Sequence, residues 1–305
     1  MIVAVIVASN TIGSIPLIVS MVMHPEAITA LAGNPNDLSP LGLDPNIALI
    51  YMLLPFIAGL AAFILLVRPL NGRSFKSIIN GTSAFRWNRF LVSALVWTIF
   101  SAIYLVISVK TDPENFTLNN TSKTLIPLIL ISVFLIPFQA AFEEILFRGY
   151  LMQGFTVMVR YRLFPLIMTS VFFGLMHTWN PEIKEFGFLT MIPQYVLFGL
   201  IFGVMTILDD GIESAMGAHA ANNAFLCIMV TNESSALQTP AFYEQHVIHP
   251  WFEFTNMLIM GVLIIIVLKV MFRWGSFSAL FSKVNRFVPQ QNGKQNHDLA
   301  PNQSL

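Results

Sequence analysis

The sequence predicts an all-α integral membrane protein, a polytopic bundle of about eight transmembrane helices with both termini in the cytoplasm. Its composition is the first reason: 55% of the residues are hydrophobic and 10% are charged, with a mean hydropathy of +0.70. A soluble domain carries about 25% charged residues, so this composition excludes a soluble fold. The formal net charge is zero, so nothing attracts nucleic acid over long distances and no nucleic-acid partner is expected.

Apolar windows along the chain are the second reason. About 20 helical residues cross roughly 30 Å of hydrocarbon. Eight windows approach this length, at 1–23, 47–67, 90–109, 125–145, 163–178, 189–208, 212–230 and 251–272. The first lacks a basic start and a clear cleavage site, so we expect a retained span rather than a signal peptide. The fifth is short, and the fourth meets no break signal before Glu143 and Glu144.

The distribution of basic residues is the third reason. Lys and Arg collect at the cytoplasmic ends of membrane helices. If the N-terminus is cytoplasmic, 13 of the 16 basic residues fall on that side, and only Lys110, Lys123 and Lys184 do not. Removing one helix from the count would destroy this asymmetry.

The chain is expected to form a single membrane domain over residues 1–285, with its motif core at 125–230, followed by a disordered cytoplasmic tail at 286–305. The tail is rich in Asn and Gln and has too few aliphatic residues to offset the entropy of ordering. The Pro- and Gly-rich loop at 24–46 is expected to lack regular structure. The single cysteine, Cys227, excludes a disulfide framework and a CxxC metal site.

Two adjacent carboxylates, Glu143 and Glu144, interrupt an apolar helix. A charged side chain at the bilayer centre costs at least ~2.5–3.5 kcal/mol, so it is expected to be paired, solvated or functional. Glu144 and Arg148 are four residues apart and therefore share one helical face, where they can form an ion pair. Glu143 points about 100° away and is predicted to have no local partner, as suits a general base.

Two further polar groups follow on later apolar segments. His177 closes a helix that contains Phe173, and an imidazole can transfer protons near neutral pH or bind metal. His219 and Asn223 are four residues apart, so one helical face offers two hydrogen-bond donors. Donors held in a low-dielectric site can stabilise an oxyanion.

Each group also has a purely structural interpretation. A membrane histidine such as His177 is more often a packing residue, Glu144 with Arg148 can be a structural ion pair, and His219 with Asn223 can join helices. Taken together, the three groups favour a site. An alternative to a catalytic site is a membrane binding or immunity protein, or a transporter-like bundle, although the sequence has no related halves of the kind that transporters show.

Three motifs in order, Glu143-Glu144-x-x-x-Arg148, Phe173-x-x-x-His177 and His219-x-x-x-Asn223, resemble those of the CPBP family. This family contains the type II CAAX prenyl endopeptidases and bacteriocin-processing or Abi-type relatives. The resemblance covers about 143–223. It implies an intramembrane endopeptidase with a cavity among the central helices, and a location in a bacterial plasma membrane.

The resemblance also implies a role for each residue. Glu143 and His177 would activate a water molecule that attacks the scissile carbonyl, while Glu144 and Arg148 would orient Glu143 and Phe173 would support the site. No covalent acyl-enzyme is required, and no serine or cysteine is evidently placed to form one.

In the same scheme His219 and Asn223 would hold the oxyanion. A mechanism without metal is favoured because the chain has no HExxH motif. The alternative is a zinc ion bound by Glu143, His177 and His219 with an open fourth position. The expected partners are the lipid bilayer and a substrate that is either a prenylated CAAX-type peptide or another membrane-associated peptide.

The predicted topology places the two histidines at different depths. From the cytoplasmic helix ends, His177 would lie about 20 Å deep and His219 about 10 Å deep at 1.5 Å per residue. Tilted helices, or a fifth helix that starts deeper in the membrane, would bring them together.

Overall fold

The computed structural model describes residues 1–33, 37–82, 84–119 and 122–284, and the predicted tail at 286–305 lies outside these described residues. The α-helices are α1 (Ile2–Ile12), α2 (Ile15–Met23), α3 (Ile28–Gly33), α4 (Pro45–Asn71), α5 (Lys76–Ile79), α6 (Trp87–Thr111), α7 (Ser122–Glu144), α8 (Met152–Val159), α9 (Leu163–Met176), α10 (Pro181–Phe186), α11 (Phe188–Asp209), α12 (Glu213–Met229) and α13 (Pro250–Phe272). A π-helix, Ile145–Leu151, joins α7 to α8. The short 3-10 segments are Pro25–Ala27, Ser39–Leu41, Pro113–Asn115 and Phe277–Phe281.

Six helical spans in the described part of the chain are long and apolar enough to cross a membrane: α1 with α2, α4, α6, α7 with α8, α11 and α13. The predicted all-α, multi-pass membrane fold is therefore confirmed. The other two predicted windows also form helices, but α9 has 14 residues and α12 has 17. These correspond to about 21 Å and about 26 Å, less than the thickness of the hydrocarbon layer.

The fourth span is longer than predicted. It does not end at residue 145 but continues through the π-helix to Val159, and residues 123–159 form one apolar span of 37 residues. It stops at Arg160, whose left-handed conformation (φ 60°) ends the helix. Glu143 and Glu144 therefore lie inside a continuous helix, next to a π-helix, which is an irregularity that often accompanies functional sites.

The loop at 24–46 is more regular than predicted. Its described residues contain α3 and two 3-10 segments. The apolar side chains of these residues are buried together against α2 and α4. This burial stabilises regular structure in a segment whose Pro and Gly content predicts none. This buried cluster consists of Ala27, Leu31, Leu38 and Leu41.

α12 lies at the centre of the bundle. It packs against α6, α7 and α11, while α9 packs against α11 and α4 packs against α1 and α7. Residues 211–221 are buried without exception. Small residues allow the helices to approach closely: Gly217 faces the backbone of Phe90, and Gly199 faces the backbone of Ser170.

A small sheet, which the sequence analysis did not predict, closes one end of the bundle. Its strands are β1 (Phe116–Leu118), β2 (Val230–Thr231) and β3 (Tyr243–Gln245), in the order β1-β3-β2. β3 pairs antiparallel with β1 and parallel with β2. The sheet ties the segment after α6 to the segment after α12.

Candidate active site

A cavity of about 550 Å³ opens among α4, α7, α9, α11 and α12. Four of the predicted catalytic residues and the supporting phenylalanine line it: Glu143, His177, His219, Asn223 and Phe173. Glu144 and Arg148 lie behind the cavity wall and are fully buried. The structure thus brings residues of the three motifs together around one cavity, as a shared site requires.

The Glu143 carboxylate uses its two oxygens differently. Gln139, one turn earlier on α7, donates a hydrogen bond of 2.6 Å from Nε2 to Glu143 Oε1. The prediction that Glu143 has no local partner is therefore wrong, because Gln139 lies on the same helical face. Oε2 is buried without a hydrogen-bond partner among the described residues and lies 3.5 Å from His219 Nε2.

Glu144 forms the predicted ion pair but does not orient Glu143. Its Oε1 accepts from Arg148 Nη1 at 2.8 Å and from His219 Nδ1 at 2.7 Å. Arg148 also donates to the carbonyl of Gly199 at 3.2 Å, and its guanidinium lies 4.5 Å from the centre of the Phe173 ring. Glu144 and Arg148 share a helical face that points away from Glu143. They therefore fix the orientation of His219 rather than that of Glu143.

His219 lies between the two carboxylates. Its ring stacks on Phe202, with centroids 4.9 Å apart and planes inclined by 16°. Because Glu144 is held by Arg148 as an acceptor, Nδ1 of His219 carries the hydrogen and donates it. Nε2 then faces Glu143, so the imidazole nearest to the Glu143 carboxylate is that of His219.

His177 has different neighbours. Its Nδ1 donates to the carbonyl of Phe173 at 2.7 Å, which leaves Nε2 as an acceptor. The ring stacks on Tyr195 at 4.1 Å, and the Tyr195 hydroxyl accepts from Asn180 at 3.0 Å. Any joint action of His177 and Glu143 would therefore operate across the cavity, through a molecule bound between them.

Phe173 contacts both imidazoles, with centroid distances of 4.8 Å to His177 and 5.9 Å to His219. Both histidines therefore reach the wall of the same cavity, as a shared site requires. α9 is short, so His177 follows its last residue within the bundle, and α12 begins at Glu213, which is already buried.

Asn223 lies one turn after His219 on α12. Its Nδ2 donates to Gln139 Oε1 at 2.9 Å, and its Oδ1 accepts from Asn222 at 3.0 Å. An amide nitrogen carries two hydrogens, so the second is available to a molecule in the cavity. An oxyanion role for Asn223 stays a prediction.

Glu143, His177 and His219 are the alternative zinc ligands. Among the residues that the structure describes, no group of three His, Cys, Asp or Glu side chains is placed to hold a metal ion. The zinc alternative stays a prediction, and we derive no step through zinc.

Gln139 and Tyr195 are among the cavity residues that were not predicted from the sequence. Gln139 could have been found, because it is a polar residue in an apolar helix four positions before Glu143. Tyr195 gave no signal, since an aromatic residue in a membrane helix is ordinary and its stacking on His177 depends on how α9 and α11 pack.

Comparisons with known proteins agree with the three motifs. Residues 122–225 match the family model described as type II CAAX prenyl endopeptidase Rce1-like. The uncharacterized protein YyaK of Bacillus subtilis (strain 168) is 30% identical over 193 residues, which are 63% of this chain and 64% of that protein. The chain thus spans slightly less than two thirds of this relative. No solved structure matches the chain. The predicted resemblance is confirmed: residues 122–225 are similar to the Rce1-like type II CAAX prenyl endopeptidases.

Proposed function

We propose that the protein is an intramembrane endopeptidase that hydrolyses a peptide bond with a water molecule activated by Glu143. The substrate would be a prenylated CAAX-type peptide or another membrane-associated peptide. The family match supports a CAAX-type intramembrane protease. The chemistry proposed for this chain comes from the geometry of the cavity.

The observation that carries the proposal is the asymmetry of the Glu143 carboxylate. Gln139 fixes Oε1, whereas Oε2 is buried without a hydrogen-bond partner among the described residues, on a side chain that lines the cavity. A base must be held still and must keep one oxygen free for the proton that it removes. Glu143 meets both requirements.

In the proposed mechanism, Glu143 Oε2 takes a proton from water as the water attacks the scissile carbonyl. His177 Nε2, across the cavity, accepts the second hydrogen bond of that water and orients it. The free N–H of Asn223 supports the oxyanion that forms.

His219 receives a revised role in this mechanism. Its two nitrogens face Glu143 and Glu144, so it can share the proton that Glu143 has taken up and help to return it to the leaving amine. Before the reaction, two carboxylates and one guanidinium leave one negative charge, on Glu143, and the proton taken from water neutralises it. The buried site therefore favours uptake of that proton, because unpaired charge is costly at low dielectric.

The cavity suits a substrate that is part peptide and part hydrocarbon. Its volume lies within the roughly 300–1,000 Å³ typical of ligand pockets. Apolar side chains such as Leu17, Met52 and Phe56 share the wall with the polar groups Asn180 and Gln194. A lipid-modified peptide presents both kinds of surface.

The test is Glu143→Gln in purified, detergent-solubilised protein, with a fluorogenic peptide that ends in a prenylated CAAX sequence. Glutamine preserves shape and hydrogen bonding but cannot act as a base, so we expect cleavage to fall by about 10²–10⁴-fold. The thermal unfolding midpoint should not fall. Glu114→Gln, at an exposed position outside the cavity, is the matched control and should cleave like the wild type.

Cleavage by Glu143→Gln at the wild-type rate would overturn the mechanism. If the folded wild type cleaved neither the prenylated peptide nor unmodified membrane-associated peptides, the peptidase proposal would fail and the non-hydrolytic alternative would replace it.

A further inference from the structure

A chain of four hydrogen bonds leads from α6 to the Glu143 carboxylate. Trp97 Nε1 donates to Asn222 Oδ1 at 3.2 Å, and Asn222 Nδ2 donates to Asn223 Oδ1 at 3.0 Å. Asn223 Nδ2 then donates to Gln139 Oε1 at 2.9 Å, and Gln139 Nε2 donates to Glu143 Oε1 at 2.6 Å. The chain crosses three helices, α6, α12 and α7.

Chemistry at the two ends fixes the direction of this chain. An indole N–H can only donate, and an ionised carboxylate can only accept. Each amide between them must therefore present its oxygen toward Trp97 and its nitrogen toward Glu143. Reversing one amide would place two donors or two acceptors against each other.

Both ends of this hydrogen-bond chain are anchored in the core. Trp97 is fully buried, and its ring lies 5.4 Å from that of Phe202. Gln139 is also buried. Asn222 and Asn223, between these two ends, are partly buried. Hydrogen bonds in series polarise one another, so the donor at Gln139 is strengthened by the donors behind it. A strengthened donor stabilises the ionised carboxylate that a base requires.

We propose that Trp97, Asn222 and Gln139 are positioning residues that, together with Asn223, hold Glu143 ionised and leave its Oε2 free to take a proton. This inference rests on the proposed function. Trp97 lies outside the segment 122–225 that matches the family model. The inference therefore extends the site to α6, which none of the three motifs contains.

The primary test measures kcat and KM for Trp97→Phe and Gln139→Met with the same fluorogenic prenylated peptide. Trp97→Phe keeps an aromatic ring but removes the first donor, so we expect kcat to fall about 10-fold with KM within about twofold. Gln139→Met removes the last donor, and kcat should fall about 100-fold. Trp87→Phe, at a tryptophan that is 63% exposed, is the matched control and should be neutral.

The double variant distinguishes a chain from independent packing contacts. If the donors act in series, Trp97→Phe combined with Gln139→Met should match Gln139→Met alone, at about 100-fold. A multiplicative loss of about 1,000-fold in kcat would show that the two residues act independently and would overturn the proposed hydrogen-bond chain.

Asn222→Asp keeps the test decisive if Trp97→Phe does not fold. Aspartate still accepts from Trp97 but has no amide donor for Asn223, so kcat should fall at least 10-fold. An independent readout is the carboxylate infrared band of Glu143, assigned by difference with Glu143→Gln. This band should shift in Gln139→Met and in Asn222→Asp, but not in Trp87→Phe.

The outcomes separate this inference from the proposed function. If Glu143→Gln abolishes cleavage while Trp97→Phe and Asn222→Asp keep wild-type kcat and an unshifted band, the positioning chain is wrong and the peptidase stands. If Glu143→Gln retains cleavage, the proposed function itself fails.

Discussion

Two buried carboxylate pairs in this protein differ in how completely their oxygens are bonded. Asp209 and Glu213, at the junction of α11 and α12, form the first pair, and each of their four oxygens has a partner. Arg86 Nη2 binds both carboxylates, at 3.1 Å from Asp209 Oδ2 and 2.6 Å from Glu213 Oε2. Trp274 and Ser214 also donate to Asp209, at 2.6 Å and 2.8 Å. This cluster fastens α6, α11, α12 and the segment after α13 together.

Glu143 and Glu144 form the second pair, and it is only partly bonded. Each of the two carboxylates keeps one buried oxygen without a hydrogen-bond partner in the described part of the chain. An unsatisfied buried polar atom costs about 1–3 kcal/mol. The comparison teaches that burial alone does not indicate function. Complete bonding indicates a structural role for Asp209 and Glu213, whereas the free oxygen of Glu143, on a cavity-lining side chain, is the one that the proposed mechanism uses.

Glu144→Gln is expected to have the largest effect. One oxygen of Glu144 is bonded to Arg148 and His219, and the other has no hydrogen-bond partner among the described residues. The change leaves the fully buried Arg148 without its counter-charge and weakens the contact that fixes His219. We expect a loss of about 3–5 kcal/mol in unfolding free energy. Among molecules that still fold, kcat should fall about 100-fold. Denaturant titration in detergent and single-turnover cleavage measure the two effects, and unchanged stability would contradict the buried ion pair.

Arg86→Gln should affect stability without affecting chemistry. It removes the cation that joins Asp209 to Glu213, so we expect a loss of about 3 kcal/mol in unfolding free energy. The rate per folded molecule should remain within about twofold, because the cluster lies outside the cavity lining. Arg160→Gln, at the end of α8, serves as the control for losing a positive charge. A 10-fold fall in kcat for Arg86→Gln would show that the Asp209–Glu213 pair also affects the reaction, which would contradict its purely structural role.

Glu182, on α10 outside the membrane spans, extends the comparison and should give the smallest effect. One carboxylate oxygen accepts from the Ala236 amide at 2.9 Å, and the other is buried without a hydrogen-bond partner in the described ranges. Burial raises the pKa of Glu182 above its ordinary value of 4.5. The protonated form is therefore favoured in the folded state, and its contribution to stability is lost as the pH rises through the raised pKa.

Glu182→Gln should remove this pH dependence. The variant should match the wild type at pH 4 and exceed its unfolding temperature by a few degrees at pH 8. Thermal unfolding across this pH range measures the difference, with Glu114→Gln as the exposed control. A variant that is less stable than the wild type at pH 8 would show that the ionised carboxylate stabilises the fold.

The sequence by itself determined the membrane class, the helical segments and the contacts within single helices. Composition fixed the class, because no soluble core can contain so many apolar residues. The spacing of four between Glu144 and Arg148 predicted their ion pair, since the helical period places such residues on one face. The three motifs predicted which residues would meet in the cavity.

Only the tertiary structure decided which groups face each other across helices. His219 rather than His177 lies against Glu143. The amide of Asn223 reaches Gln139, and Trp97 extends this series of hydrogen bonds to α6. The sequence could not specify these contacts, because membrane helices are apolar on nearly every face and their pattern does not fix how each one is rotated. Close packing at small residues such as Gly217 and Gly199 sets that rotation, and it is a property of the assembled bundle rather than of any one helix.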